Sequence, residues 1–205
     1  MEEIFNKHLT NINLIQKGVL DNLSDKELKY FTSIGMNEDI LVSRLKNGKQ
    51  LKMNSHKVEK RIEELINQTV QEGYKNILVL CTGRFNNLQV DGINIFFPDD
   101  IVTQLLNNMY SYKNFGLLIP DENQIIYMKE KWSEQRNLII ECASPYLKIE
   151  EIISSCKAIE EQGAEVILMD CMGYTENMKK EVQTRVNIPV ILSNVLTLKI
   201  VSELV

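Results

Sequence analysis

The sequence predicts an α/β protein of two lobes related by a pseudo-twofold axis, with mainly parallel sheets and flanking helices. Three observations carry this expectation. Apolar runs of strand length alternate with helical patterns along the 205 residues, and that alternation builds parallel sheets with helices on their faces. One stretch recurs at a fixed offset. Both copies of it end in the same Cys-x-Gly turn.

Taken in order, the strand-like runs are Ile12–Ile15 extended toward Val19, Ile40–Val42, Ile77–Cys81, Phe115–Ile119, Leu138–Cys142, Val166–Cys171 and Pro189–Leu192. Asn47-Gly48 marks a turn within Asn47–Lys52, so Ile40–Arg44 and Gln50–Met53 are expected to pair as a small hairpin. Val58, Ile62, Leu65, Ile66 and Val70 recur at helical spacing, and Gly73 is the stop. Ile149, Ile152, Ile153, Cys156 and Ile159 repeat that pattern, with Gly163 as the stop. Further helices are expected over Asp99–Tyr110, Glu122–Trp132, Glu176–Val186 and Leu196–Leu204, with Trp132 packing a helix end.

The repeat aligns Gln71–Gly83 with Glu161–Gly173 at an offset of 90 residues. Gly73 matches Gly163, Ile77 matches Ile167, Leu78 matches Leu168, Cys81 matches Cys171 and Gly83 matches Gly173. Each copy reads as a helix end, a buried strand and a turn. The expected division is a first, incomplete lobe of residues 1–97 plus the C-terminal helix 195–205, and a second lobe of residues 98–194.

Composition narrows the function classes. The chain is 44% hydrophobic and 25% charged, with a net charge of −5 and both signs interspersed. No basic stripe is present, so a nucleic-acid partner is not expected. No apolar run reaches the roughly 18 residues that span a bilayer, so no membrane partner is expected. The N-terminus has no basic region followed by an apolar stretch, which leaves a cytoplasmic protein as the expectation. The four cysteines lack C-x₂-C spacing and both histidines lie far from them in sequence, so no metal site is expected. A disulfide framework is not expected in a reducing compartment.

Ligands of parallel α/β sheets bind beyond the C-terminal strand ends, where Cys81 and Cys171 both fall. A helix following Cys171 would lower its thiol pKa. The glycine two positions after each cysteine would let backbone amides approach an anion such as a substrate carboxylate. Two thiols on opposite sides of a cleft could serve as base and acid at one carbon. The plainer reading of any single cysteine is a small buried hydrophobe; the matched pair tips the reading toward chemistry. Cys142 and Cys156 lack that context, and Cys156 shares a helix face with Ile152, Ile153 and Ile159.

Thr82, Gly83 and Arg84 follow the first cysteine, and Arg84 is either a carboxylate clamp or a surface charge. Met172, Gly173 and Tyr174 follow the second, and Tyr174 either orients a ligand or packs. Ser144 and Tyr146 either hydrogen-bond a ligand or belong to a rigid turn set by Pro145. Ser193 and Asn194 end the last strand on the ligand side, or cap the final helix. Asp170, in a buried strand, needs a partner, and strand alternation turns it from the face of Cys171.

At these residues the sequence resembles a known family. Leu80-Cys-Thr-Gly-Arg-Phe85, Cys142-Ala-Ser-Pro-Tyr146, Met169-Asp-Cys-Met-Gly-Tyr174, Pro189-Val-Ile-Leu-Ser193 and Gly18-Val-Leu-Asp-Asn-Leu-Ser24 look like the AroM family nearly end to end. The same segments resemble the broader aspartate/glutamate/hydantoin racemase superfamily, with a short strand over Ile93–Phe97 and another over Phe115–Pro120. Cys171-Met-Gly-Tyr174 is nearer the hydantoin-racemase pattern than the Cys-Thr-His-Tyr of glutamate racemases. The AroM pattern opens with a strand and a Gly-Gln-x-Pro-Arg loop that this sequence lacks, so the resemblance implies a first lobe without its first strand.

The resemblance implies a cofactor-independent enzyme, a racemase or epimerase, an isomerase or a decarboxylase, using Cys81 and Cys171 on a small carboxylate or carbonyl substrate. The rival expectation is a non-catalytic protein that binds a small metabolite. A homodimer is the default oligomeric expectation.

Overall fold

The computed structural model describes residues 5, 7–9, 12–36, 38–45, 48–85, 88–111, 113–132 and 137–205. The chain divides into two compact units. One comprises Met1–Thr10, Leu80–Thr82 and Pro98–Val205; the other comprises Asn11–Val79 and Gly83–Phe97.

The unit formed by Asn11–Val79 and Gly83–Phe97 opens with an irregular stretch. The strand expected from Ile12 is absent: Ile12, Leu14 and Ile15 are 38–44% exposed, and no described strand pairs with them. Among the described residues, no strand edge lies beside this apolar run to complete a ladder. Helix α1 (Asp25–Thr32), which the apolar pattern did not reveal, is set by a capping box: Ser24 accepts from the Glu27 amide while the Glu27 side chain accepts from Ser24. Lys57 closes its other end, donating to the carbonyls of Tyr30 at 3.0 Å and Ser33 at 2.6 Å.

Strands β1 (Ile40–Arg44) and β2 (Gln50–Asn54) pair antiparallel with Ile40 opposite Asn54 and Arg44 opposite Gln50, as the hairpin expectation has it. Asn47 of the turn lies outside the described residues. Helix α2 (Ser55–Gln71) follows, its first turn capped by the Asn54 side chain, which accepts from the Lys57 amide at 2.9 Å. Strands β3 (Asn76–Leu78) and β4 (Asn94–Phe96) are parallel, Asn76 beside Asn94 and Leu78 beside Phe96.

The other unit is a doubly wound layer structure. Its sheet contains β5 (Phe115–Ile119), β6 (Leu138–Cys142), β7 (Val166–Met169) and β8 (Val190–Leu192), all parallel, in the order β6-β5-β7-β8. Central strands β5 and β7 are buried at every position, which is why they read as continuous apolar runs rather than alternating ones. Helix α3 (Pro98–Tyr110) precedes β5. A 3₁₀ turn (Glu122–Gln124) leads into helix α4 (Ile125–Trp132), so the predicted helix from Glu122 begins with a tighter turn. Helices α5 (Ile149–Glu161), α6 (Glu176–Gln183) and α7 (Ser193–Val201) complete the unit.

Each sheet face has its own core. On one, Ile139, Ile167, Met169 and Cys171 pack with Ile152, Cys156 and Ile159 of α5 and Val182 of α6. On the other, Phe115, Leu117, Val166 and Leu168 pack with Val102 and Leu106 of α3 and Met128 and Trp132 of α4. Trp132 stacks on Phe115 with ring centroids 5.0 Å apart. The expected packing role of Trp132 and the core role of Cys156 are met here.

The two segments of the sequence repeat have the same local form. Helix α2 ends at Gln71 and α5 at Glu161, and the following Gly73 and Gly163 both have φ of +93°. In each, the glycine amide donates three residues back and the next amide five residues back, the pairing of a glycine-terminated helix. Strand β3 starts five residues after α2 ends, and β7 five residues after α5 ends.

Candidate functional site

In a parallel sheet of order β6-β5-β7-β8 the chain runs from β5 to β6 on one side, then returns to β7 on the other. The space beyond the C-terminal ends of β5 and β7 is the switch point at which ligands of such sheets bind. Asp170 and Cys171 lie there. The Asp170 amide donates to the Leu118 carbonyl at 2.9 Å, extending β7 by one residue before the chain turns.

The turn after Cys171 is tightly braced. The Gly173 amide donates to the Cys171 Sγ at 3.4 Å. The Asn194 side-chain amide donates to the carbonyls of Met172, at 3.2 Å, and Tyr174, at 2.7 Å. Ser193 donates its hydroxyl to the Met169 carbonyl at 3.1 Å. Ser193 and Asn194 are both fully buried, and the N-cap of α7 is Leu192 without a side-chain cap. The capping alternative is therefore corrected: Asn194 donates to the carbonyls of the Cys171 turn and Ser193 to the last carbonyl of β7, so neither side chain caps α7. Asn194 Oδ1 is buried with no hydrogen-bond partner among the described residues.

Tyr174 is fully buried and donates its hydroxyl to the Ala143 carbonyl at 2.6 Å. Next to that carbonyl, Ser144–Leu147 form a turn: the Leu147 amide donates to the Ser144 carbonyl at 3.1 Å and the Tyr146 amide to the Ser144 hydroxyl at 3.2 Å. This turn sits against Gly173. A Cβ at Gly173 would lie 2.7 Å from the Pro145 Cγ and 3.0 Å from the Tyr146 hydroxyl, so any side chain there would have to push Pro145 aside. The structure thus gathers Ser144, Tyr146, Met172, Gly173, Tyr174 and Ser193 around Cys171.

Cys171 is only 8% exposed, and burial pushes its thiol up to about 12. The Gly173 amide favours the thiolate, while the charges of Cys81 and Asp170 oppose it. The expected lowering by a helix N-terminus is overturned. Helix α6 starts only at Glu176, capped by Thr175, and burial outweighs the Gly173 amide that favours the thiolate, so desolvation decides the sign.

Cys81 is half-buried and Thr82 buried, both in the same unit as Cys171. Gly83 is buried and Arg84 exposed; these two belong to the other unit. Cys142 is pushed up to about 11 by burial, aided by Asp121, Glu141 and Glu122, and Cys156 to about 12 by burial.

Two residues near the thiols were missed from the sequence. Lys131 of α4 and Asp99 of α3 form an ion pair, both side chains at most 3% exposed. Lys131 also meets Asp170 Oδ2 at 3.3 Å and donates to the Thr82 carbonyl at 3.3 Å. Asp170 has the partner it was expected to need. Burial raises its carboxyl pKa, with Lys131 and the Thr82 hydroxyl pulling the other way. Lys131 stays protonated, because the attraction of Asp170 and Asp99 outweighs its desolvation. The signal for Lys131 was its place one residue before Trp132, on the face that also carries Met128; for Asp99 there was none beyond a helix start.

The model of the family described as AroM protein matches residues 1–205. No curated protein matches the sequence. Several solved structures share the fold. Unliganded arylmalonate decarboxylase is 16% identical with a TM-score of 0.53, over 70% of this chain and 74% of that one. Allantoin racemase from Pseudomonas fluorescens is 12% identical with a TM-score of 0.54, over 73% and 69%. Glutamate racemase from Francisella tularensis in complex with D-glutamate is 13% identical with a TM-score of 0.51, over 73% and 62%. At these identities the likeness is one of fold.

Proposed function

The chain belongs to the AroM family, and we propose that it moves a proton at an acidic carbon of a small carboxylate or carbonyl compound without a cofactor. Racemisation or epimerisation, isomerisation and decarboxylation all fit this description. The observation that supports this reading most is Cys171 at the switch point beyond the C-terminal end of β7, with Cys81, whose charge opposes the Cys171 thiolate, in the same compact unit. The fold shared with a decarboxylase and with two racemases supports the same reading.

Cys171 holds its proton at rest because it is buried, which suits it to the role of acid. In racemisation, the Cys81 thiolate takes the α-proton, leaving the electron pair on carbon, and the Cys171 thiol delivers a proton to the opposite face. In decarboxylation, carbon dioxide leaves and the electron pair it leaves behind takes the proton of Cys171. Thr82, Gly83 and Arg84 of the first turn, Met172, Gly173 and Tyr174 of the second, and Ser144, Tyr146 and Ser193 from neighbouring segments are assigned to holding the substrate or the turns themselves. We place the protein in the cytoplasm, as a homodimer acting on a small molecule, with neither nucleic acid nor membrane as partner; among the described residues no helix is long and apolar enough to cross a membrane.

The test is incubation in deuterated water with a panel of amino acids, hydantoins and malonates, read by mass spectrometry. Label uptake or turnover that disappears in Cys81→Ser and in Cys171→Ser is the expected outcome. Absence of both across the panel would sink the proposal. A second reading, a non-catalytic metabolite-binding protein, draws on the burial of Cys171, which keeps its thiol neutral. It predicts ligand-induced thermal stabilisation that survives both serine substitutions.

A further inference from the structure

The ion cluster of Lys131, Asp99 and Asp170 has no part in the proton transfers above, and its place in the fold is unusual. All three side chains are at most 3% exposed. An ammonium has three donors, and here they meet three acceptors from three separate segments: Asp99 Oδ1 at the start of α3, Asp170 Oδ2 at the end of β7, and the Thr82 carbonyl. Two of those acceptors are chain neighbours of the two thiols. Thr82 directly follows Cys81, and Asp170 directly precedes Cys171.

We propose that Lys131 is a positioning residue that fixes the Cys81 turn and the Cys171 turn relative to each other. The segment Leu80–Thr82 is the short piece of chain that joins the unit built on Pro98–Val205, and the Lys131–Thr82 bond is a point at which it is held there. The Asp170 bond holds the other turn from the opposite sheet face, because strand alternation points Asp170 toward Lys131 and Cys171 toward the core shared with Ile152 and Cys156. Asp99 keeps Lys131 aimed, and itself accepts from the Thr103 hydroxyl at 3.3 Å. An apolar side chain at position 131 would pack beside Trp132 with no desolvation cost. What it could not do is bond to both turns at once. The functional meaning of this pin rests on the reading of the thiols as reacting groups; the pin itself does not.

The experiment uses the full chain with Lys131→Met, and with the triple variant Asp99→Asn/Lys131→Met/Asp170→Asn, which removes all three charges together and so leaves no unpaired carboxylate in the core. Alkylation rates of the four cysteines by iodoacetamide are followed individually by mass spectrometry at several pH values, beside circular dichroism. The expected result is a change of about tenfold or more at both Cys81 and Cys171, with Cys142 and Cys156 unchanged. Wild-type rates at Cys81 and Cys171 in a folded variant would overturn the proposal. So would a rise at all four cysteines together, which marks general loosening. Deuterium uptake by the unmodified protein reads the thiol chemistry separately, so a failed pin and a failed enzyme give different results.

Discussion

Cys171 sits at a turn braced by hydrogen bonds from several segments of the chain. Gly173 donates to its sulfur, Asn194 and Ser193 hold the carbonyls on either side, and Tyr174 ties the turn to Ala143. The tightest of these fits is at Gly173. Gly173→Ala should lower stability by about 1–3 kcal/mol, the usual cost of forcing a methyl into a filled site, because Pro145 and Tyr146 already occupy the space. Thermal denaturation of the variant measures it. Lys131 is the other sensitive residue. Lys131→Met leaves Asp99 and Asp170 buried without their counter-charge, and a loss of about 3–5 kcal/mol is expected; urea denaturation checks it, and the triple neutral variant should recover most of the loss. At this scale the sequence made the cysteines and the need of Asp170 for a partner legible. It did not reveal which residue that partner was, because Lys131 and Asp170 are 39 positions apart and meet only through the packing of α4 on the sheet.

Elements were legible where their periodicity was long or their ends were punctuated. The apolar stripes of α2 and α5, each stopped by a glycine, read directly from spacing. Helix α1 was missed because its 8 residues bury only Phe31; its identity lies in the Ser24 and Glu27 capping box rather than in an apolar stripe. The expected strand at Ile12 failed for the opposite reason, having the apolar run but no described strand beside it. The glycine stops can be tested. At Gly163 a Cβ would meet nothing closer than Asn114 Nδ2 at 3.8 Å, so Gly163→Ala should lose stability through backbone conformation alone. About 1–2 kcal/mol is expected from holding an L-residue at positive φ. Chemical denaturation should show a shifted midpoint with an unchanged slope; no shift would remove the conformational argument.

For the whole molecule, alkaline pH is the informative variable. The thiols of Cys142, Cys156 and Cys171 are raised from an ordinary 9.0 to between about 11 and about 12. In the unfolded chain they ionise near 9.0, while in the fold they keep their protons. Stability from this source is therefore intact below about pH 9 and falls as the pH rises toward the folded values. Cys156→Ala should flatten that decline while lowering stability at neutral pH through the lost core contact. A melting-temperature series from neutral to alkaline pH, run on both proteins, distinguishes the two effects.

The sequence by itself determined the class of fold, the alternation of elements, the repeated helix end and strand, and the candidacy of Cys81 and Cys171. These are properties of short windows, where periodicity, glycine punctuation and residue chemistry act locally. The tertiary structure decided the strand order that makes a switch point of the space beyond Cys171, the neutral state of that thiol, and the meeting of Lys131 with Asp99, Asp170 and Thr82. Those depend on burial and on contacts between distant segments. A charge or a thiol takes its character from the solvent it has lost and the partners that replace it, and neither is present in the order of residues along the chain.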